Sequence, residues 1–187
     1  VEARILLAQT VFVIDENGTY RSQQTYYVDN RTEPYMDLQL PDGARVWTAR
    51  VAGEPVKPFS VASGTTLSTG GTTVRIPLVK TAAGDRDYQV ELKYAGRLEP
   101  LGIVSIVDFP FLKTLNIQVE ESQVHLYVPE SHDWANFRGS MRQLHSDAER
   151  TASFARYKAR QIAQLRKFLD STDDYSRLRA ISRGRAI

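Results

Sequence analysis

The chain has 187 residues, 42% of them hydrophobic and 25% charged, with a formal net charge of +2. That is enough apolar material for one packed core plus an appendage, and it excludes disorder as the default. There is no cysteine, which excludes a disulfide framework and a Cys-ligated zinc site.

The charge is unevenly placed. Residues 1–137 carry 12 Lys+Arg against 17 Asp+Glu, a net of −5, and residues 138–187 carry 12 against 5, a net of +7. The split coincides with a change of texture, from strand-and-turn patterning to a helical, Arg-rich pattern. Charge asymmetry of this kind suggests an interaction surface more readily than total charge does. No apolar run approaches the ~18–20 residues of a membrane-spanning helix. The chain starts at Val1 rather than Met, so it is expected to begin inside a longer reading frame.

Residues 3–14 form a long apolar-rich run whose more apolar face switches partway, which predicts a strand with a bulge or a crossing between sheets. Asp15-Glu16-Asn17-Gly18 predicts a hairpin through a type I′ turn at Asn-Gly. Thr19–Val28 returns as an alternating strand. Tyr35–Leu40 alternates, with Met36, Leu38 and Leu40 on one face, and Pro41-Asp42-Gly43 turns the chain. Arg45–Val51 is a further strand. Lys57 to Thr73 reads as a loop with room for one short edge strand. Val74, Ile76 and Leu78 alternate, but Pro77 cannot donate to a ladder and marks a strand end. Ala82–Asp85 is a turn. Tyr88, Val90, Leu92 and Tyr94 alternate strictly, which predicts the clearest strand. Ile103–Val107 is a strand or an apolar crossover. Leu115–Val119 and Val124–Val128 predict a second hairpin around Glu120–Gln123.

These segments are short strands separated by turn signals, with no helical period between them. They predict a mainly β fold with C-terminal helices: an antiparallel β-sandwich, immunoglobulin-like or jelly-roll-like, over 1–137. A helical arm is expected over 138–187, with a long helix at about 140–170 and a short one at about 173–183. The apolar stripe of the long helix is read as Leu144, Ala148, Thr151, Ala155, Ala159 or Ile162, and Leu165 or Leu169, widened by Phe154, Tyr157 and Phe168.

Candidate chemistry is sparse. His132-Asp133 beside Glu130 has metal-ligand or acid–base residue types, but ligand sets need three convergent groups and an exposed polar linker accounts for the same residues. His125 alternates with Val124 and Leu126 and is expected to face solvent; His145 is expected on a helix surface. No G-x-S-x-G elbow supports a Ser–His–Asp triad. Gly64, Gly70 and Gly71 lack the lysine and following helix of a phosphate loop. Tyr20, Tyr26, Tyr27, Tyr35, Trp47, Tyr88 and Tyr94 have the residue types of a sugar-stacking platform, although aromatics in strands more often fill cores. No catalytic residue, metal or cofactor is assigned. The candidate interaction surface is cationic: Arg156, Arg160, Arg166, Arg177, Arg179 and Arg183. Docking or contact with a protein partner is favoured over nucleic acid, because no recognised nucleic-acid module precedes these residues.

Tyr27-Val28-Asp29-Asn30, Leu38-Gln39-Leu40-Pro41-Asp42-Gly43-Ala44, Val51-Ala52-Gly53-Glu54-Pro55-Val56-Lys57-Pro58 and Ile76-Pro77-Leu78 resemble the repeating sandwich modules of large bacterial envelope proteins. The resemblance covers about residues 20–94 and implies an extracytoplasmic, periplasmic or cell-envelope, non-catalytic module of a longer protein. It carries over no functional residues. The expected function is structural, or interaction with a protein partner or a neighbouring domain of the same chain, with a homodimer through the arm open. A carbohydrate-binding module, a hydrolase with an unidentified site, and nucleic-acid or anionic-lipid contact through the arm are the alternatives.

Overall fold

A computed structural model describes residues 3–61, 72–81, 87–102, 104–134, 136–144 and 146–169. By internal contacts the chain divides into two units, Val1–Lys80 with Asp87–His132, and Thr81–Arg86 with Asp133–Ile187.

The first unit is β-rich. It holds β1 (Ala3–Ile14), β2 (Thr19–Asn30), β3 (Tyr35–Gln39), β4 (Arg45–Val51), β5 (Glu54–Pro55), β6 (Phe59–Val61), β7 (Thr73–Pro77), β8 (Tyr88–Arg97), β9 (Lys113–Thr114) and β10 (Ser122–Tyr127). Two sheets result, one in the order β10-β1-β2-β8-β4-β5 and the other in the order β6-β7-β3-β9. Alternation decides which side chains meet between them. Phe12, Tyr26, Val28, Val90, Leu92 and Tyr94 come from the first sheet, and Met36, Leu38, Val74 and Ile76 from the second; all are buried in one core. Phe12 stacks on Tyr20, ring centroids 5.1 Å apart, and meets Phe109 and Phe111 edge-on. One polar pair lies within this layer, where the Thr10 hydroxyl donates to Gln24 Oε1 at 2.6 Å. The buried Asn30 side chain ties a turn to the end of the second sheet: Nδ2 donates to the carbonyls of Glu33 and Val79, and Oδ1 accepts from the Glu33 N–H.

The face switch in β1 is a bulge. Ile5 pairs with Val28 and Leu7 with Tyr27, so Leu6 has no partner on β2. The extra residue keeps Ile5 and Ala8 both on the core side. The β1–β2 hairpin forms where expected, but not through a type I′ turn. Asn17 is not at positive φ; Gly18 is, at +75°. The Gly18 N–H donates to the Asp15 carbonyl at 3.0 Å, and the Asp15 carboxylate caps the N–H groups of Asn17 and Thr19. This is a type I turn followed by a left-handed glycine, which Asp15 favours by accepting both donors. A Cβ on Gly18 would meet the Leu98 and Glu99 carbonyl oxygens at 2.5 and 2.6 Å.

Of the two readings of residues 103–107, strand or apolar crossover, the described residues 104–107 are not a strand. The hairpin expected around Glu120–Gln123 does not form. Lys113–Thr114 pairs with β3 in the second sheet, and the chain then crosses to the first, where Ser122–Tyr127 runs parallel to β1. The strand pairing is therefore antiparallel except at this edge. Parallel pairing needs a crossover connection rather than a tight turn: the Leu115 N–H still donates to the Asp37 carbonyl on β3, while Val119 already bridges Ile5 on β1.

In the second unit, α1 spans Asp147–Leu169, 23 residues. It begins about seven residues later than expected, after Ser146, whose Oγ accepts from the Glu149 N–H at 3.3 Å as an N-cap does. Thr151, Ala155, Ala159 and Ile162 of the expected apolar stripe are exposed, whereas Tyr157 is buried. Small residues at helical spacing bury little area, and one large aromatic outweighs them. No helix among the described residues is long and apolar enough to cross a membrane. The short helix expected at about 173–183, His145, Gly64, Gly70, Gly71 and the Ala82–Asp85 turn lie outside the described residues.

Candidate functional site

β4 carries the groove. A register shift between Val46 and Thr48 against β8 places Trp47 at a bulge, where its side chain is 60% exposed. On its outer side β4 is covered only by β5, through Arg50–Pro55 and Val51–Glu54, and by one bond from the Val56 N–H to the Ala49 carbonyl. Among the described residues, Arg45–Thr48 has no strand partner on that side. An open groove of about 790 Å³ follows this edge. Its floor is apolar, with Leu40, Val46, Val56 and Val74, and its rim holds Trp47 and three cations, Arg45, Arg50 and Lys57. Among the described residues no carboxylate and no side-chain amide lines it. Glu91 stands opposite Arg50 in the β4–β8 register.

The aromatic platform does not assemble. Tyr20, Tyr26 and Tyr94 are buried, and Tyr27 and Tyr88 are half-buried. Burial raises the hydroxyl pKa of all five, with Tyr20 and Tyr88 pushed up to about 12. Trp47 and Tyr35 are the exposed members of the seven. Tyr35 lies on the outer face of the second sheet, where Phe59 meets its ring edge-on and the Arg75 guanidinium sits 5.4 Å from its centroid. Arg75 also grips Asp37 with both arms, at 2.6 and 2.7 Å, and this holds the Asp37 carboxyl below the usual carboxylate range.

His132 has neighbours, but not those of an activated nucleophile. The Ser131 hydroxyl donates to Glu16 Oε1 at 2.5 Å and lies 3.0 Å from His132 Nδ1. Its single proton is committed to the carboxylate, so Nδ1–H must be the donor in the second contact. A triad needs the reverse order, with the carboxylate on the imidazole and the imidazole accepting from serine. The residues line no part of the groove, and no group of three or more His, Asp or Glu among the described residues is arranged to hold a metal. His125, expected in solvent, is half-buried opposite Val11.

Of the cationic surface, Arg156, Arg160 and Arg166 are exposed on α1. Arg156 and Arg160 are one turn apart, while Arg166 is about 120° around the axis from Arg160 at 3.6 residues per turn. The three do not form one stripe. Arg177, Arg179 and Arg183 lie outside the described residues. The Trp47 groove was not singled out in the sequence; a tryptophan in a strand flanked by two arginines, followed by Glu54-Pro55 and Pro58, was the signal present.

No family model matches the chain, and no curated relative does. Among solved structures it is similar to an M1 zinc metallopeptidase from Deinococcus radiodurans, at TM-score 0.36 and 16% identity over 52% of this chain and 21% of that one. It is also similar to native yeast LTA4 hydrolase, at 0.36 and 10% over 50% and 14%, and to Legionella pneumophila aminopeptidase A, at 0.32 and 7% over 53% and 11%. The chain thus spans about a fifth or less of these solved chains, and likeness at this level carries no argument about activity.

Proposed function

We propose that the chain is a non-catalytic protein-interaction module of a longer extracytoplasmic bacterial protein, its β-part a sandwich of the immunoglobulin-like or jelly-roll-like kind. The observation that supports this most is the β4 edge, where an exposed tryptophan, strand backbone with no partner among the described residues and three cations line one groove. Most other polar groups of note are engaged in holding the fold, as Asn30, Asp15, Gln24 and the Arg75–Asp37 pair are. The partner is another protein or a neighbouring domain of the same chain. A photo-crosslinking residue placed in turn at Trp47, Tyr35, Tyr127 and Arg156 of the full-length parent protein tests the reading. At least one position should give a discrete protein adduct; silence at all four would reject it.

A hydrolase is the second reading, and it depends on the contacts of Ser131 with Glu16 and His132. Turnover of aminoacyl or p-nitrophenyl ester substrates that disappears in Ser131→Ala would replace the interaction module with an enzyme. We expect no turnover.

A further inference from the structure

We infer that the groove along β4 takes an acidic peptide segment in extended conformation, added as a strand beside Arg45–Thr48. The inference deepens the interaction reading and rests on it.

Three independent features point the same way. First, the backbone of Arg45–Thr48 has no strand partner on its outer side among the described residues, and such an edge offers a row of N–H and C=O groups to an incoming strand. Second, the charge of the lining is of one sign. Arg45, Arg50 and Lys57 face the groove, and no carboxylate among the described residues lines it. No ion pair neutralises these three among the described residues; Glu91, opposite Arg50 in register, forms none with it. Third, the polar chemistry suits a peptide better than a neutral sugar. Sugar hydroxyls need acceptors, and among the described residues the lining offers no carboxylate or amide side chain, its neutral polar side chains being the hydroxyls of Thr48, Ser60 and Thr72. A peptide brings its own donors and acceptors to the strand edge. Its alternate side chains would fall on the apolar floor at Val46 and Val74 and on the cationic rim. Trp47, at the bulge, supplies a flat apolar wall.

The test uses the full chain and calorimetric titration with the synthetic octapeptide (Glu-Val)4, with (Lys-Val)4, (Ser-Val)4 and polygalacturonate as comparisons. The acidic peptide should bind, and (Lys-Val)4 should not. Raising NaCl from 50 to 300 mM should weaken binding about five-fold, since rim charges are exposed and screened. Arg45→Ser with Lys57→Ser should weaken it about ten-fold and Trp47→Ala about five-fold, both with unchanged circular dichroism; exposed pairs contribute a few-fold each. (Glu-Val)4 carrying N-methyl groups at alternate residues should lose at least ten-fold, because strand addition needs its N–H groups. Equal binding by the methylated peptide overturns the strand geometry. Binding of polygalacturonate with silence from the acidic peptide overturns the peptide assignment, and silence from every probe overturns the site. If photo-crosslinks then appear at Tyr35, Tyr127 or Arg156 but not at Trp47, the interaction reading survives without this groove.

Discussion

The Tyr20 hydroxyl is buried and has no hydrogen-bond partner among the described residues, while the ring stacks on Phe12 and covers Gly96 across the β2–β8 pair. A Cβ on Gly96 would collide with the Tyr20 hydroxyl and the ring carbons beside it, so the whole side chain packs on the glycine while its hydroxyl makes no hydrogen bond among the described residues. Tyr20→Phe should be neutral or stabilising by up to about 1 kcal/mol, because an unpaired buried hydroxyl carries a desolvation cost. Urea unfolding would show a midpoint at or above that of the parent. Asn30 is the opposite case. Its side chain makes three bonds to backbone groups at 2.7 to 2.9 Å, and Asn30→Ala should cost about 2–3 kcal/mol by leaving partly buried partners unmade. An unchanged urea midpoint would contradict that account. At this scale the sequence was a fair guide to burial by alternation: Met36, Leu38, Val90 and Leu92 are where the pattern put them. Alternation could not show which polar side chains turn inward, because Gln24 is held by Thr10 on the neighbouring strand and Asn30 by the Glu33 backbone of the following turn together with the distant Val79 carbonyl.

The bulge in β1 makes a sharper claim about register. Leu6 alone lacks a partner on β2, so deleting it leaves Ile5 opposite Val28 and Leu7 opposite Tyr27, with alternation intact. Deleting Gln9, which pairs with Thr25, instead shifts everything before it by one position and turns Ile5 out of the core. We expect the Leu6 deletion to fold with a loss of about 2 kcal/mol, the scale of one buried leucine, and the Gln9 deletion to lose at least twice as much or fail to fold. Similar losses for both would mean the bulge sits elsewhere. The sequence announced the bulge through the change of apolar face, and the hairpin through Asn-Gly. It did not announce the turn type, because the Asp15 side chain outcompetes the I′ geometry that Asn-Gly permits. Nor did it reveal the partner of β10, since side-chain alternation is the same for a parallel and an antiparallel neighbour.

Over the whole molecule, titrating groups set a pH window for stability. Asp37 has a folded pKa below the ordinary carboxylate value of 3.8 because Arg75 hydrogen-bonds it. Its contribution is complete above that value and lost as pH falls through the lower folded one. The buried tyrosines behave in the opposite sense. Their folded pKa values lie above 10.0, at about 12 for Tyr20 and Tyr88, with burial as the main cause. Their contribution is complete below pH 10 and lost as pH rises toward the folded values. Thermal midpoints should be level between about pH 5 and 9, fall below pH 4 and fall again above pH 10. Asp37→Asn should flatten the acid limb and leave the alkaline one alone; an unaltered acid limb would show that other carboxylates govern it. The β-rich class and the helix were legible from hydrophobic period. The groove was not, because it is made by what β4 lacks on one side, and no local pattern records a missing neighbour.

The pairing of β1 with β10 joins positions far apart in the chain; Gln9 and Gln123, bonded side chain to side chain, are 114 residues from each other. During synthesis at ~5–20 residues per second, the first strand therefore waits roughly 6–23 s for its cover. Through that interval Val11 and Val13 belong to an open margin, able to recruit the matching segment of another nascent copy. Crowded polysomes would then yield exchanged dimers, and slower decoding of residues 30–120 would increase their share.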